Sequence, residues 1–328
     1  MGARSIRSSR WHRPYPEVVT ATDETPLARD AAFRCSPWTH AQHVDPIGSA
    51  ARFDAALLVE WPLPWPRDVS LIPDLAAASA APGVRVMAVV PQAKFGSEGM
   101  TRVVHHRRTG TNHLAGVDHL VPRTELGELL AALVATPLTD SSPLPSAVGP
   151  APPEVLVCAH GKRDPCCGRW GTLAHVELTA RGLPVRTWRC SHTGGHRFAP
   201  TAITLPDGRA WAYVDSDLLE GVMDRSLELS SLSLHHRGTS GLDPWAQVVD
   251  RAVLGQLGWA WLDQPDVRSH TVVDDDGQRA RVELSWPGGT ATGEVAIART
   301  LPVLVCGNPP EAATKTAPEY ALRSLQLA

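Results

Sequence analysis

The residues of this chain that could do chemistry are concentrated in one stretch. Four of its six cysteines lie between residues 158 and 199, with three histidines close to them in the sequence. Thiolate sulfur and imidazole nitrogen are the ligands that zinc and iron–sulfur clusters select. A lone cysteine usually packs as a small hydrophobic residue, but packing does not require both residue types to gather in one place. We therefore expect a metal or redox site here. Its candidate members are Cys158, Cys166, Cys167, Cys190, His160, His192 and His196.

These residues form two short motifs separated by a predicted helix. The first reads V-L-V-C-A-H-G-K-R-D-P-C-C-G and the second reads W-R-C-S-H-T-G-G-H-R-F-A. Cys158 ends a predicted buried strand, and Cys167 follows nine positions later, across the turn G-K-R-D-P. His192 and His196 are four residues apart, but the two glycines between them disfavour a helix, because each glycine costs about 1 kcal/mol there. We expect a loop whose backbone adopts positive φ angles or approaches another group closely.

Together the two motifs resemble those of the sucrase/ferredoxin-like family of thioredoxin-like ferredoxins. The resemblance covers roughly residues 33 to 258 and includes L-L-V-E-W-P-L-P-W-P and H-R-G-T-S. It implies a [2Fe–2S] cluster held by two cysteines and two histidines, and hence electron transfer or redox sensing rather than turnover of a substrate by the chain alone. The ligands that the resemblance implies are Cys158, Cys167, His192 and His196.

The second thiolate has two candidates, because two cysteines are adjacent. Cys167 precedes Gly168 and so matches the C-G pattern of the family, whereas Cys166 does not. We therefore expect Cys167 to be the ligand. The sequence contains no paired-carboxylate arrangement of the kind that glycoside hydrolysis uses.

Mixed ligation would affect the reduction potential of such a cluster. Two thiolates and two neutral imidazoles make the oxidised cluster neutral, whereas four thiolates would leave two negative charges on it. Because less negative charge favours the reduced state, Rieske centres lie far above plant-type ferredoxins in potential. The resemblance therefore implies a potential above that of an all-cysteine cluster.

Spacing alone leaves other sites open. Cys158 with His160, and Cys190 with His192, each form C-x-H, which is similar to one Rieske loop, but the second Rieske loop is C-x-x-H and the match fails. Structural zinc would be satisfied equally well by two cysteines and two histidines. A zinc-stabilised binding module is thus the alternative function. A reductase or thiol oxidoreductase with an unknown partner is less favoured, because the chain has no C-x-x-C motif.

Composition excludes several classes of protein. With 328 residues and 43% hydrophobic content, the chain is long enough for two or three domains with cores of their own. The net charge of −3 gives no reason to expect nucleic acid as a partner. No membrane span or secretory signal is predicted, because no long apolar run occurs. The cysteine usage suits a reducing compartment. We expect a cytoplasmic protein with an unidentified redox partner protein.

The order of predicted elements indicates an α/β protein built on thioredoxin-like folds. After a proline-rich stretch, the chain reads strand, helix, strand, hairpin and helix, which is the thioredoxin-like order, and the first half repeats it less clearly. The predicted regions are a flexible basic tail at 1–32, a thioredoxin-like half at 33–136, a Pro-rich linker at 137–153, a thioredoxin-like ferredoxin domain at 154–258 and a small α+β C-terminal region at 259–328.

The remaining candidates are expected to be structural or solvated. Cys35 and Cys190 are predicted to be buried thiols, and Cys306, which has no partner nearby in sequence, a structural thiol. Three cationic residues beside the motifs could steer an acidic partner or be solvated loop residues, namely Lys162, Arg163 and Arg197. Four histidines without neighbouring cysteines are expected at the surface, namely His105, His106, His113 and His119.

Overall fold

A computed structural model of the chain describes residues 33–92, 99–136, 144–264 and 266–328. The predicted basic tail at 1–32 lies outside the described residues. The helices are α1 (Cys35–Ala41), α2 (Pro73–Ser79), α3 (Leu126–Ala135), α4 (Thr172–Ala180), α5 (Ser216–Met223), α6 (Leu232–His235) and α7 (Pro244–Leu257). The strands are β1 (Ala55–Glu60), β2 (Val84–Val89), β3 (Met100–Gly110), β4 (His113–Pro122), β5 (Ala147–Pro150), β6 (Glu154–Cys158), β7 (Arg186–Cys190), β8 (Ala202–Leu205), β9 (Arg209–Trp211), β10 (His236–Thr239), β11 (Arg268–Val273), β12 (Arg279–Trp286), β13 (Gly289–Pro302) and β14 (Thr316–Leu327).

A ten-stranded sheet runs through both halves of the chain in the order β10-β9-β8-β6-β7-β2-β1-β3-β4-β5. In the first half, β1 pairs parallel with β2 and antiparallel with β3. In the second half, β6 pairs parallel with β7 and antiparallel with β8. The halves therefore repeat one pattern of strand directions, and they join where Val89 of β2 pairs antiparallel with Cys190 of β7. The predicted α/β class is confirmed.

Strands β1 and β6 are buried along their whole length because helices and neighbouring elements cover the sheet. Every residue of β1 and of β6 is buried, as continuous apolar strands between two covered faces require. Leu57 of β1 packs with Leu75 of α2 and Leu130 of α3. Val157 of β6 packs in a separate cluster with Leu178 of α4. Packing against α4 thus helps to fix the position of β6 and of the cysteine at its end.

Buried ion pairs join the two halves across the sheet. Asp118 of β4 accepts two hydrogen bonds from Arg186 of β7, at 2.7 and 2.6 Å. Glu154 of β6 accepts from the indole of Trp188 at 2.7 Å and lies 2.5 Å from Nε2 of His106. Charged groups inside a protein need such partners. The pairing thus fixes the register of one half against the other.

The expectation of surface histidines is wrong for three of the four residues. His105, His106 and His119 are at most 6% exposed, whereas His113 is exposed at the start of β4. The physical reason is that β3 and β4 each pair with a strand on either side in the large sheet, and residues in the middle of both strands are buried.

The last part of the chain forms a second, four-stranded sheet in the order β11-β12-β13-β14. A hairpin with Asp276 and Gly277 in its turn joins β11 to β12, which pair antiparallel. Val249 of α7 and Val282 of β12 belong to one core cluster, so α7 connects this sheet to the large one. Within the predicted linker at 137–153, residues 137–143 lie outside the described ranges, and β5 pairs with β4. The domain boundaries themselves stay a prediction.

Among the described residues no helix combines the length and the apolar character that crossing a membrane requires.

Candidate metal centre

The strand ends that carry the cysteines meet at one edge of the large sheet. Cys158 ends β6, Cys190 ends the adjacent parallel strand β7, and the two residues are in register. The loops that follow, 159–166 and 191–198, therefore start side by side. The carboxyl ends of parallel strands are where open α/β sheets bind their ligands.

Cys167 reaches Cys158 because glycines let the chain approach itself. Cys167 begins a short π-helical turn over residues 167–171, which leads into α4. A Cβ atom on Gly171 would overlap the carbonyl oxygen of Cys158, and one on Gly168 would overlap Cα of Gly161. Both glycines are thus needed for the turn to pack against the end of β6.

The two thiols contact each other and one of the expected histidines. A hydrogen bond from Cys167, supported by one with His192, lowers the pKa of Cys158 well below its usual value, although the thiol is fully buried. The same hydrogen bond, together with burial, raises the pKa of Cys167. The pair therefore holds a thiolate next to a thiol and an imidazole. Metal binding would remove the remaining thiol proton.

Two arginines, the buried Arg237 and the half-buried Arg85, hold the histidine loop. Gly194 and Gly195 have φ angles of 92° and 66°, so the predicted positive φ is confirmed. A Cβ atom on Gly195 would overlap the guanidinium of Arg237, which donates to the carbonyl of Gly194 at 3.1 Å. Arg85 donates to the carbonyl of His192 at 2.6 Å. The glycines thus allow cationic side chains to pack directly under the loop.

The two expected histidines of this loop face different groups. Their ring centroids are 6.1 Å apart. Nδ1 of His192 is buried and has no hydrogen-bond partner in the described part of the chain, while the ring contacts Cys158. Nδ1 of His196 lies 3.2 Å from Oδ2 of Asp164 and 3.6 Å from Sγ of Cys35. His192 is therefore joined to the first pair of thiols, and His196 to a carboxylate.

A second group of thiols lies beyond Asp164, and we call Cys35, Asp164, Cys166 and Cys306 the four-residue group. Sγ of Cys306 is 3.3 Å from Sγ of Cys35 and 3.2 Å from Sγ of Cys166. Sγ of Cys35 is 3.4 Å from Oδ2 of Asp164. The ligand atoms of these four residues all lie within 4.8 Å of one another.

The four-residue group was not visible in the sequence. Cys306 has two thiol partners although none is near it in the chain, and Cys35 does more than fill space. Contacts with Cys166 and Cys35 lower the pKa of Cys306, while the contact with Cys306 raises the pKa of Cys166 to about 12. The only sign of this group in the sequence was the pair of adjacent cysteines. Cys167 contacts Cys158, whereas Cys166 contacts Cys306.

The expected ligands Cys158, Cys167, His192 and His196 are spread more widely than the four-residue group. Cys158 contacts both Cys167 and His192, whereas His196 contacts Asp164. No three of their ligand atoms satisfy the 4.8 Å spacing among the residues that the structure describes. The structure thus brings the four residues to one edge of the sheet without converging them on a single point.

The two C-x-H motifs do not form a ligand set in this structure. Nε2 of His160 lies 2.9 Å from the carbonyl oxygen of Pro66, and its ring packs edge-on against Trp65. Cys190 is fully buried, and burial raises the pKa of its thiol. Both residues therefore serve the packing around the centre.

The three cationic residues differ in access to solvent. Lys162 is exposed, Arg163 is half-buried, and Arg197 is buried and stacks over the ring of Phe198. Arg197 is therefore not a surface charge that a partner could meet. A pocket of about 350 Å³ opens beside His192, and it is lined by residues that include Arg67, Asp68, Arg85 and Arg163. The histidine edge of the centre thus borders a mainly cationic pocket.

A family model described as Sucrase/ferredoxin-like matches residues 46–238. The matched segment contains both motifs and all four expected ligands. It leaves out Cys35 and Cys306. Comparisons with curated proteins and with solved structures gave no match.

Proposed function

Because the chain belongs to the sucrase/ferredoxin-like family, we propose that it carries one [2Fe–2S] cluster and serves in one-electron transfer or redox sensing. The proposed ligands are Cys158, Cys167, His192 and His196. One observation carries the proposal: two fully buried thiols contact each other and an imidazole whose second nitrogen is buried without a partner among the described residues.

The unpaired nitrogen supports a bound cation at this place. A buried polar atom without a hydrogen bond costs about 1–3 kcal/mol, and native structures rarely keep one without a reason. A metal ion is a partner that Nδ1 of His192 would accept. Thiolate and imidazole donors also match the preference of iron–sulfur and zinc sites.

The spacing favours a binuclear group over a single zinc ion. Four ligands of one tetrahedral zinc lie about 3–4 Å apart, as follows from metal–ligand distances of about 2.0–2.3 Å. The expected ligands do not reach that spacing within the described residues, and a group with two metal ions has room for a wider set. A zinc-stabilised binding module built on these four residues is therefore the weaker reading.

The contact of His196 with Asp164 suggests which of its ring nitrogens is free to bind a metal. A metal-bound histidine usually donates its other ring N–H to a carboxylate or carbonyl. Nδ1 of His196 lies near the Asp164 carboxylate, which leaves Nε2 as the ligand nitrogen. His192 would bind through its unpaired Nδ1.

The surrounding residues would hold the cluster, exclude water from its cysteine side and leave its histidine side partly exposed. The thiols of Cys158 and Cys167 are at most 1% exposed, whereas the two histidines are only partly buried. Such a cluster supplies one-electron oxidation and reduction. The guanidinium groups of the half-buried Arg85 and the buried Arg237 would stabilise the more negative reduced state. The half-exposed imidazoles lie on the side of the cationic pocket, which suits contact with an acidic redox partner protein.

We also infer that each half is a thioredoxin-like unit. The repeated strand directions of β1 to β4 and β6 to β9 support this, as does the predicted order of strand, helix, strand, hairpin and helix. The six cysteines are all unpaired in the structure, which fits a reducing compartment such as the cytoplasm.

The test replaces each thiol ligand and measures bound iron. We expect Cys158→Ser and Cys167→Ser to lose most of the iron and the visible absorption of the purified protein. Cys190→Ala is the matched control, because this residue is equally buried and ends the neighbouring strand. Full iron content in both serine variants would refute the ligand assignment.

A further inference from the structure

We propose that Cys35, Asp164, Cys166 and Cys306 bind one Zn²⁺ ion in a second site, separate from the cluster. Three thiolates and one carboxylate are a donor set that tetrahedral zinc accepts. The site does not depend on the function proposed above, and its role would be to join three distant segments of the chain.

The distances agree with a tetrahedral ion after a small adjustment. Ligand sulfurs at about 2.3 Å from one zinc lie about 3.8 Å apart in tetrahedral geometry. The observed separations of Cys306 from Cys35 and Cys166 are 3.3 and 3.2 Å, and Cys35 is 3.4 Å from Oδ2 of Asp164. A movement of about half an ångström in each sulfur would therefore open the centre for the ion.

The carboxylate is already aligned for this task. Oδ1 of Asp164 accepts the backbone N–H of Cys166 at 2.9 Å and that of Cys167 at 3.4 Å. Its Oδ2 is directed at Cys35 and His196. Carboxylates that bind metal are commonly fixed by such hydrogen bonds. Oδ1 thus fixes the group, and Oδ2 is the ligand.

A disulfide explains the same residues less well. A bond between two sulfurs would require a separation of about 2.05 Å, and Cys306 is nearly equidistant from two candidates. Either bond would leave the third thiol and the carboxylate of Asp164 without a role. Three thiols and one carboxylate instead supply the four ligands that a tetrahedral zinc ion takes.

The ion would join three segments of the chain that already pack together in one apolar cluster. Cys35 begins α1, Cys166 precedes the π-helical turn, and Cys306 lies in an irregular segment between β13 and β14. In that segment, residues 303–309, Leu304 is the only buried residue. Cys35 and Cys306 lie outside the segment that the family model matches, so the site would be an addition to the family core.

The test compares the metal content of full-length protein with that of variants at two adjacent positions. We expect about one zinc per chain in the unaltered protein, measured by inductively coupled plasma mass spectrometry. Cys166→Ser should lose the zinc and keep the iron. Cys167→Ser should do the reverse. This opposite behaviour of neighbouring cysteines separates the two sites and shows that a variant which keeps one metal is folded.

A second variant and a second metal ion test the site even if Cys166→Ser misfolds. Cys306→Ser changes a partly exposed residue and should lower zinc retention at least 10-fold without loss of iron. Cobalt added to zinc-free protein should give thiolate-to-cobalt absorption in the unaltered chain and none in Cys306→Ser. The proposal is overturned if zinc-supplied protein binds no zinc, if Cys166→Ser and Cys306→Ser keep it, or if the protein purified without reductant has a mass two hydrogens lower than the reduced protein because two of these thiols form a disulfide.

Discussion

Oδ2 of Asp164 lies 3.2 Å from Nδ1 of His196 and 3.4 Å from Sγ of Cys35. One buried carboxylate thus contacts a proposed cluster ligand on one side and a proposed zinc ligand on the other. The Asp164 side chain is 1% exposed, so solvent screens its charge little. The electrostatic state of each proposed centre should therefore affect the other.

This relationship predicts the effect of Asp164→Asn on the cluster. Asparagine keeps an oxygen that accepts the backbone amides of Cys166 and Cys167, but it removes the negative charge. Because a nearby anion disfavours the reduced state, the reduction potential should rise, by on the order of 50 mV. A dye-mediated redox titration of zinc-free protein measures the shift, and Asp68→Asn, an exposed carboxylate, is the control. An unchanged or lower potential would contradict the linkage.

Gly171→Ala should separate the two thiols. The added Cβ would overlap the carbonyl oxygen of Cys158, and such overpacking costs about 1–3 kcal/mol. We expect a lower free energy of unfolding in urea and loss of most of the iron. Gly127→Ala is the control, since it lies on the exposed side of α3 with no atom within 4 Å of the new Cβ and should keep both stability and iron. Normal iron content in Gly171→Ala would argue against the thiol pair as ligands.

Among the ion pairs of the core, breaking that of Arg209 and Asp250 should lower the free energy of unfolding most. Both side chains are fully buried, with two hydrogen bonds at 2.6 and 3.2 Å, and the indole of Trp261 also donates to Asp250. Asp250→Ala leaves a buried cation unpaired, which costs about 3–5 kcal/mol. Denaturant unfolding measures the loss.

A matched exposed pair provides the comparison for that prediction. Arg225 and Asp263 form two hydrogen bonds of 2.7 Å at the surface. Asp263→Ala should cost less than about 1 kcal/mol. Equal losses in the two variants would show that burial does not set the energy of these pairs.

His105 should make the fold less stable in acid. Burial, followed by repulsion from Arg107 and His119, lowers the pKa of His105 to about 3. The folded state therefore binds a proton less readily than the unfolded state, whose histidine has a pKa of about 6.5. The stabilising contribution is complete above that pH and is lost as the pH falls toward 3, by up to about 1.4 kcal/mol per unit.

The contribution of His105 can be isolated by substitution. His105→Gln should flatten the fall in unfolding free energy between about pH 6 and pH 4 relative to the unaltered protein. The exposed His113→Gln should not. Identical pH slopes in the two variants would exclude His105 as a source of the acid sensitivity.

Local patterns in the sequence predicted the elements that carry the candidate site. The strand predicted at Glu154 to Cys158 is β6 with the same ends, because a short apolar run bounded by proline and glycine has few other structures. The glycines of the histidine loop predicted its positive φ angles for a similar reason. These features depend on residues close together in the chain.

Contacts between distant residues could not be predicted in this way. Cys306 and Cys35 are 271 positions apart, and nothing near either residue indicates the other. His106 is buried because Glu154 of the other half faces it, which depends on how the two halves join. The sequence therefore predicted the group that contains Cys158 and Cys167 but not the four-residue group.

The most direct test of the central claim is iron and acid-labile sulfide analysis of the purified protein, together with electron paramagnetic resonance after reduction by dithionite. We expect about two irons and two sulfides per chain and, in the reduced protein, a signal from one unpaired electron. A colourless protein without iron, whose first thiol pair holds zinc or no metal, would contradict it.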